Sequence, residues 1–338
     1  MTVKIGILGM GFMGNCHFNA YRGVPGARIC ALCDCDGDKL RENAGVTGNI
    51  GGAGQKKSLA GVKVYTEASL IIADPEVEVV DITLPTYLHA EWTIKALKAG
   101  KHVICEKPMA LSAHDAHEMA EVARRTRRRL FIGHCIRFWP AYVTAKEIIQ
   151  GKKYGKVLSA VFARISPRPA WSWKNWILKP ELSGNAALDL HIHDADFMLH
   201  LFGRPAAVCS HGCGSARAGF EHIVTSYDYG KNKVIIAEGG WGYENKYPFS
   251  MTFRIAMEKA TLALHADGKL MLYRPGIEPQ AIEIPEGDGY GRELAHFVGC
   301  IASGKKSHVV SPESAALSVQ LVESEIKSAA TGKTIKFK

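Results

Sequence analysis

The chain has 338 residues, 47% hydrophobic and 22% charged, values typical of a globular protein large enough for two domains. Its formal net charge of +9 is not accompanied by the basic and aromatic pattern of a nucleic-acid-binding module. The sequence shows neither an apolar run of membrane-spanning length nor a signal peptide. We therefore expect a cytoplasmic protein with no nucleic-acid partner and no membrane partner.

Short apolar runs alternate with amphipathic stretches through the first third of the chain. Predicted strands begin at Val3, Ala27, Val62, Val77, His102 and Arg129. The alternation predicts a doubly wound parallel sheet, and the continuous apolar strands indicate that both of its faces are covered. Residues 45–61 interrupt this pattern with five glycines between Gly45 and Gly54, and they predict a loop.

The segment GMGFMG follows the first predicted strand and opens a helix. It places Gly9, Gly11 and Gly14 in the spacing G-x-G-x-x-G, which is weak alone but indicates a dinucleotide site in this context. Gly9 allows the tight turn, Gly11 allows a pyrophosphate to approach the backbone, and Gly14 allows the helix and the strand to pack closely. The helix N-terminus then faces the anion.

The acid expected to bind the adenosine ribose is Asp34, which lies 20 residues after Gly14 at the end of the second strand. Its carboxylate would repel a 2′-phosphate, so we expect NAD in preference to NADP. Lys39 is the residue that would reach such a phosphate and weaken this preference. Cys30 and Cys33 precede Asp34 as C-x-x-C, but within a strand rather than at the turn that redox and zinc sites use.

The segment HVICEKPMA, residues 102–110, ends a predicted buried strand with Glu106, Lys107 and Pro108. A charged strand end followed by proline is ordinary in loops. Ligands of an open parallel sheet, however, bind at the carboxyl ends of its strands. Lys107 is therefore a candidate to face the nicotinamide and the substrate.

The pattern changes after about Val157, where strands are separated by short turns, as in an antiparallel meander. One helix is predicted over 185–203, and two more helices close the chain. Within the first of these, LDLHIHDAD places Asp189 and His193 on one helical face at i and i+4. A carboxylate beside a histidine orients a general base. A metal site and a buried histidine pair are the alternatives, with His191 and Asp196 as further ligands.

Three tryptophans, Trp171, Trp173 and Trp176, fall within six residues in RPAWSWKNW. Aromatic faces suit the C–H faces of sugars, while Arg137 and Lys179 suit a carboxylate or a phosphate. An ordinary hydrophobic loop or a dimer contact would use the same tryptophans.

Taken together, these segments resemble the Gfo/Idh/MocA family of NAD(P)-dependent oxidoreductases over essentially the whole chain. The resemblance rests on GMGFMGNCHFNA, on DITLPTYLHAEWTIKALKAGKHVICEKPMA, on RFWPAY and on LSGNAALDLHIHDADF. It implies a Rossmann domain over residues 1–125. It also implies an α/β domain with a large open, mainly antiparallel sheet over residues 126–338, which would bind the substrate and form homodimers or homotetramers. The last helix is a candidate to pack back on the first domain.

The resemblance implies that Lys107, Asp189 and His193 are the catalytic residues and that the Lys107–Pro108 bond is cis. Substrate contacts are then expected at Arg137, Trp171, Trp176, Asp189 and His193, and no metal is expected. The candidate cofactor-binding residues are Gly9, Gly11, Phe12, Met13, Gly14, Asp34, Leu84, Pro85, Thr86, His89, Glu106 and Lys107. The chain departs from the family pattern at Asn185, Ala186 and His191, where glycines are common.

We predict hydride transfer between NAD and a secondary alcohol of a sugar, polyol or sugar acid. His193, oriented by Asp189, would take the hydroxyl proton, and Lys107 would stabilise the developing alkoxide. Two alternatives use the same fold. One is a redox-neutral, NAD-dependent glycoside hydrolase, and the other is a non-enzymatic NAD sensor.

Overall fold

A computed structural model describes residues 2–42, 58–215, 217–244 and 246–337. Residues 45–57 of the predicted loop lie outside the described residues. Elements of the first 135 residues are β1 (Val3–Leu8), α1 (Phe12–Tyr21), β2 (Ala27–Cys33), β3 (Lys63–Tyr65), α2 (Ala68–Ala73), β4 (Val79–Ile82), α3 (His89–Lys98), β5 (His102–Glu106), α4 (Ala113–Thr126) and β6 (Leu130–Gly133). The later elements are α5 (Pro140–Gln150), β7 (Val157–Pro167), α6 (Pro180–Ser183), α7 (Asn185–Asp189), α8 (Ile192–Phe202), β8 (Ala207–Ser215), β9 (Gly219–Asp228), β10 (Val234–Tyr243), β11 (Ser250–Met257), β12 (Ala260–Leu264), β13 (Leu270–Arg274), β14 (Ile277–Ala281), α9 (Gly289–Ser303), α10 (Pro312–Thr331) and β15 (Ile335–Lys336).

The chain divides into two compact units, each built from three segments. The first contains residues 1–135, 170–183 and 289–319, and the second contains residues 136–169, 184–288 and 320–338. β6 belongs to the sheet of the first unit, although it follows the predicted boundary between residues 125 and 126. α10 is divided between the units at Val319. The functional division of the chain into a cofactor domain and a substrate domain stays a prediction.

The first unit contains the predicted parallel sheet, in the order β3-β2-β1-β4-β5-β6. Its strands are apolar because both faces are covered: Ile5, Ile7, Val79 and Ile104 have no exposed surface. All five neighbouring pairs are parallel, so the carboxyl ends of the strands share one edge. The Rossmann prediction is confirmed. α4 ends within an arginine-rich segment, and Arg127 caps it with a φ of 56°.

The second unit is built on a nine-stranded sheet in the order β14-β13-β12-β11-β7-β10-β9-β8-β15. β7 and β10 run parallel, and the other neighbouring pairs among these described strands are antiparallel. α7 and α8 pack on β7, β9 and β10. Edge-to-face rings lie between helices and sheet, with the centroids of Tyr142 in α5 and Phe253 in β11 5.2 Å apart. The open, mainly antiparallel sheet is confirmed.

Sequence patterns missed four strands, β8, β13, β14 and β15. Every residue of β14 is exposed, and its sequence IEPQA contains a proline, which is tolerated at a sheet edge but removes the strand pattern. The prediction of one helix over 185–203 was wrong. The structure breaks it at Leu190 and His191, where the N–H groups of His193 and Asp194 bond three residues back rather than four.

Candidate active site

The glycine loop joins β1 to α1 at the carboxyl edge of the parallel sheet. Gly9 has a φ of +102°, a left-handed value that favours glycine. A Cβ at Gly14 would lie 1.9 Å from the carbonyl oxygen of Gly9, so only glycine allows α1 to approach the strand. A Cβ at Gly11 would meet no atom within 4 Å, which leaves this backbone open to a ligand. The three glycines have the geometry that the sequence predicted for them.

Asp34 lies directly after β2 and is 6% exposed. Its Oδ2 accepts the N–H of Met10 at 2.8 Å, so the carboxylate is held against the glycine loop. Its Oδ1 accepts the N–H of Asp36 at 2.9 Å, and the Nζ of Lys39 lies 3.5 Å from the same oxygen. Lys39 therefore already offsets part of the charge that would repel a 2′-phosphate.

Two polar side chains that the sequence did not single out also hold the glycine loop. The hydroxyl of Thr83 donates to the carbonyl of Gly9 at 2.5 Å. The amide of Asn15 donates to the carbonyls of Met10 and Gly11 at 2.9 and 2.7 Å. Asn15 follows the third glycine directly. Its helix is not clearly divided into an apolar and a polar face, so the hydrophobic pattern gave no indication that Asn15 is buried.

The predicted cofactor-side loop follows β4 and leads through a short 3-10 helix, Thr86–Leu88, into α3. The ring of His89 bridges two carbonyl oxygens, with Nδ1 2.7 Å from that of Pro108 and Nε2 2.8 Å from that of Leu84. Burial lowers the pKa of His89, and the hydrogen bonds to the two carbonyls only partly oppose this effect. His89 therefore ties the loop to the segment that follows Lys107.

Glu106 ends β5, and Lys107 follows it at the carboxyl edge. The Lys107–Pro108 bond is cis, as expected. Glu106 is 4% exposed, and its Oε2 accepts the backbone N–H of Lys107 at 3.1 Å. Glycine lies opposite Glu106 in β6, and a Cβ at Gly133 would lie 2.9 Å from Oε1. Lys107 is thus set beside a carboxylate for which the neighbouring strand leaves room.

The tryptophan segment belongs to the first unit. The ring centroid of Trp171 lies 5.2 Å from that of Phe12, the residue that begins α1. The Nζ of Lys39 lies 5.4 Å from the ring centroid of Trp173. Trp171 therefore lies near the glycine loop, and Trp173 lies near Lys39, which contacts Asp34. Trp176 is half-buried in the 3-10 helix Trp173–Leu178. Their role toward substrate stays a prediction.

The second unit carries Asp189 at the end of α7 and His193 in the first turn of α8. Asp189 is 8% exposed and His193 is half-buried. Because the helix is broken between them, the i, i+4 spacing does not by itself place both side chains on one regular face. Their catalytic roles stay predictions.

The two acidic residues that follow His193, Asp194 and Asp196, each form a salt bridge with an arginine. The guanidinium of Arg137 donates to both carboxylate oxygens of Asp196, at 2.8 and 2.6 Å, inside the second unit. Arg164 donates to Asp194 in the same way, at 2.7 and 3.3 Å. Bidentate pairing of this kind disfavours a cation at either carboxylate. It also gives Arg137 a structural partner, and its predicted contact with substrate remains untested.

His191, the site of the expected departure from the family pattern, is fully buried elsewhere in the second unit. Its Nε2 lies 2.8 Å from an oxygen of Glu325 in α10, and the hydroxyl of Tyr227 donates to the other oxygen at 2.7 Å. Gly239 of β10 makes room for it, because a Cβ there would lie 2.7 Å from that of His191. The added bulk of His191 is accommodated within the second unit by this glycine.

Two family models match the chain. Residues 3–134 match the Gfo/Idh/MocA oxidoreductase family with its NAD-binding Rossmann fold, and residues 142–263 match the C-terminal domain of the same family. The chain belongs to the Gfo/Idh/MocA oxidoreductase family. Its glycine loop and Asp34 therefore lie in a domain whose family description is NAD-binding.

The relatives that this chain resembles include enzymes named for inositol and anhydrosugar substrates. The chain is 34% identical to 1,5-anhydro-D-fructose reductase of Ensifer adhaerens over 47% of its length and 49% of the relative. It is 31% identical to myo-inositol 2-dehydrogenase of Thermotoga maritima over 60% of its length and 55% of the relative. These two alignments thus span about half of each relative. A third, with inositol 2-dehydrogenase 2 of Saccharopolyspora erythraea, has 26% identity over 99% of this chain and 95% of the relative.

Among solved structures, levoglucosan dehydrogenase in complex with NADH and levoglucosan shares the Gfo/Idh/MocA fold of this chain. The TM-score is 0.85 at 21% identity, over 100% of both chains.

Within the described part of the chain, no helix combines the length and the apolar character needed to cross a bilayer.

Proposed function

We propose that this protein is an NAD-dependent dehydrogenase that oxidises a secondary alcohol of a sugar, a polyol or a sugar acid. The observation that carries the proposal is the shared edge of the parallel sheet, where the glycine loop follows β1 and Lys107 follows β5. Open α/β sheets bind their ligands at this edge. The inositol and anhydrosugar substrates named for the relatives support the substrate class.

The residues of the loop fit a dinucleotide. The open face at Gly11 admits a diphosphate to the first turn of α1, and Asp34 would accept a ribose hydroxyl. The other expected contacts are Met13 and the Leu84–Thr86 loop. Bound there, NAD would supply the hydride acceptor, and the protein would supply orientation and charge.

Three side chains would carry the proton chemistry. His193 would take the proton of the substrate hydroxyl, and Asp189 would orient and charge-stabilise the imidazole. The ammonium of Lys107 would stabilise negative charge that develops on the alcohol oxygen. None of the relatives named above is a hydrolase or a sensor, so we do not propose either alternative for this chain.

We propose that NAD is preferred over NADP, with a modest margin. Asp34 disfavours a 2′-phosphate, but Lys39 lies beside it and offsets that charge. Replacing Lys39 should therefore widen the margin and replacing Asp34 should narrow it. Assembly through the nine-stranded sheet and a cytoplasmic location stay predictions.

The direct test is the absorbance of reduced nicotinamide after the protein is mixed with NAD and a panel of cyclitols, aldoses, anhydrosugars and sugar acids. Lys107→Ala should lower turnover about 100- to 10,000-fold, because it removes the alkoxide-stabilising charge, while NAD binding is nearly kept. Lys95→Ala is the matched control, since Lys95 pairs with Glu91 on the exposed face of α3. Equal turnover of the two variants would contradict the role of Lys107.

A further inference from the structure

His17 is a buried group that the dehydrogenase mechanism above does not use. It lies in α1, six residues after Gly11, and its side chain has no exposed surface. Its Nδ1 lies 2.9 Å from an oxygen of Asp81 at the end of β4, and its Nε2 lies 3.1 Å from Oε1 of Glu106. One ring therefore joins α1 to two neighbouring strands of the sheet.

The partners decide the protonation state of the ring. Ionised carboxylates only accept hydrogen bonds, and a neutral imidazole has a single N–H. Two carboxylate contacts are therefore satisfied together only by the imidazolium. Burial lowers the pKa of His17, but the charges and hydrogen bonds of Asp81 and Glu106 raise it well above its ordinary value. The same cation lowers the pKa of Glu106 against the opposing effect of burial.

Glu106 passes this constraint to the catalytic candidate. Its Oε1 faces His17, while its Oε2 accepts the backbone N–H of Lys107 at 3.1 Å. The other end of α1 begins at Gly11, where the dinucleotide would bind. The chain of contacts His17–Glu106–Lys107 therefore links the helix of the cofactor loop to the peptide that carries the lysine.

We propose that His17 is a positioning residue: a buried imidazolium that fixes Glu106 and, through it, the backbone of Lys107 relative to the dinucleotide-binding helix. This proposal rests on the dehydrogenase function proposed above. Other titratable groups face the cluster and interact with it electrostatically. They are Cys16 and Tyr21 of α1, His89 of α3, Cys135, and Tyr290 and Glu293 of α9.

A metal is the competing occupant. Ligand atoms of His17, Glu106 and Glu293 lie within 4.8 Å of one another, and all three residues are buried. A bound metal would require an unprotonated ring nitrogen facing it, since only a lone pair ligates. The imidazolium and the metal are therefore mutually exclusive at Nε2.

The first measurement is made on the unmodified protein without substrate. In 15N-histidine-labelled protein at pH 8, both ring nitrogens of His17 should carry protons, whereas an ordinary histidine is neutral at that pH. Metal analysis of the same sample should give no stoichiometric ion. A single protonated nitrogen, or one bound metal per chain, would overturn the proposal.

The second measurement follows the backbone. In 15N-lysine-labelled protein, the Lys107 amide, assigned with Lys107→Arg, should exchange with solvent on the order of tenfold faster in His17→Gln than in the wild type. Tyr21→Phe is the matched control, because it removes a hydrogen bond to Asp81 at 2.9 Å and leaves the ring of His17 on Glu106. An unchanged exchange rate in a folded His17→Gln protein would refute the positioning role.

Turnover then separates this inference from the function on which it rests. If the protein is a dehydrogenase, His17→Gln should lower kcat on the order of tenfold, with KM for NAD changed less than about threefold. A loss confined to KM would contradict positioning of Lys107. Absence of turnover in every variant would count against the dehydrogenase, while the two spectroscopic results would still test the role of His17. If His17→Gln fails to fold, the protonation measurement on the unmodified protein still tests the buried imidazolium, since it needs no variant.

Discussion

The two units bury their charges in different ways. In the second unit each buried arginine has its own carboxylate: Arg164 pairs with Asp194, and Arg137 pairs with Asp196. In the first unit the single ring of His17 is shared by Asp81 and Glu106. The second unit thus contains closed pairs, in which one arginine binds one carboxylate. The first unit contains one cation that contacts two carboxylates.

This difference predicts how each cluster responds to change. A closed pair can be removed as a unit, because nothing charged is left behind. A shared cation cannot be removed with one partner without leaving the other carboxylate buried and uncompensated. The second arrangement suits a position where geometry near a ligand matters more than stability.

The largest effect is expected from opening a closed pair. Arg164→Met should lower the free energy of unfolding by about 3–5 kcal/mol, because it leaves Asp194 buried without its partner. Urea denaturation with matched slopes measures this loss. The double variant Arg164→Met with Asp194→Leu should recover most of it. A double variant as unstable as the single one would show that the pair is not closed.

The next effect concerns the shared cation and its pH dependence. Because the folded pKa of His17 is raised above 6.5, its stabilisation is complete below that pH and is lost as pH rises through the folded value. Glu106, with a pKa lowered from 4.5, contributes above 4.5 and loses its contribution as pH falls through its folded value. The stability difference between wild type and His17→Gln should therefore be largest between pH 4.5 and 6.5.

Tyr21→Phe provides the comparison for this scan. Burial and Asp81 raise the pKa of Tyr21 well above 10, so its hydroxyl stays protonated throughout the range. The loss of unfolding free energy caused by Tyr21→Phe should thus change little between about pH 6 and 9. If the loss of unfolding free energy caused by His17→Gln is equally independent of pH, the ring of His17 is not a cation in the folded protein.

The smallest effects come from the glycines that make room for each cluster. Gly239→Ala should cost about 1–3 kcal/mol, because its Cβ would lie 2.9 Å from the Cα of His191, which cannot move freely. Gly133→Ala should cost a similar amount, about 1–3 kcal/mol, because its Cβ would lie 2.9 Å from Oε1 of Glu106, an oxygen that faces His17. Thermal unfolding of both variants measures the two costs. A much smaller cost for Gly133→Ala than for Gly239→Ala would show that His17 does not hold the carboxylate of Glu106 in place.

Sequence patterns predicted the parallel sheet and the glycine loop because both depend on local order: apolar runs, turn glycines and an acid at a fixed spacing. They missed Thr83, Asp194 and Glu325, whose partners lie on other elements. They also missed Asn15, whose partners are two nearby carbonyls of the glycine loop. The helix predicted over 185–203 was wrong at Leu190 because a break of one turn leaves no mark in an apolar pattern. Pairings across the fold become visible only once the strands are in register.

The first unit is built from three separate segments of the chain, and this affects how it can fold during synthesis. Its parallel sheet ends at Gly133, but the unit also includes residues 170–183 and the segment 289–319, in which α9 packs on α1. When the residues of the sheet have left the ribosome, α9 has not yet been synthesised, so the surface of α1 that α9 covers is still exposed. Folding of this unit during synthesis can begin early but is completed only after residue 319 has left the ribosome.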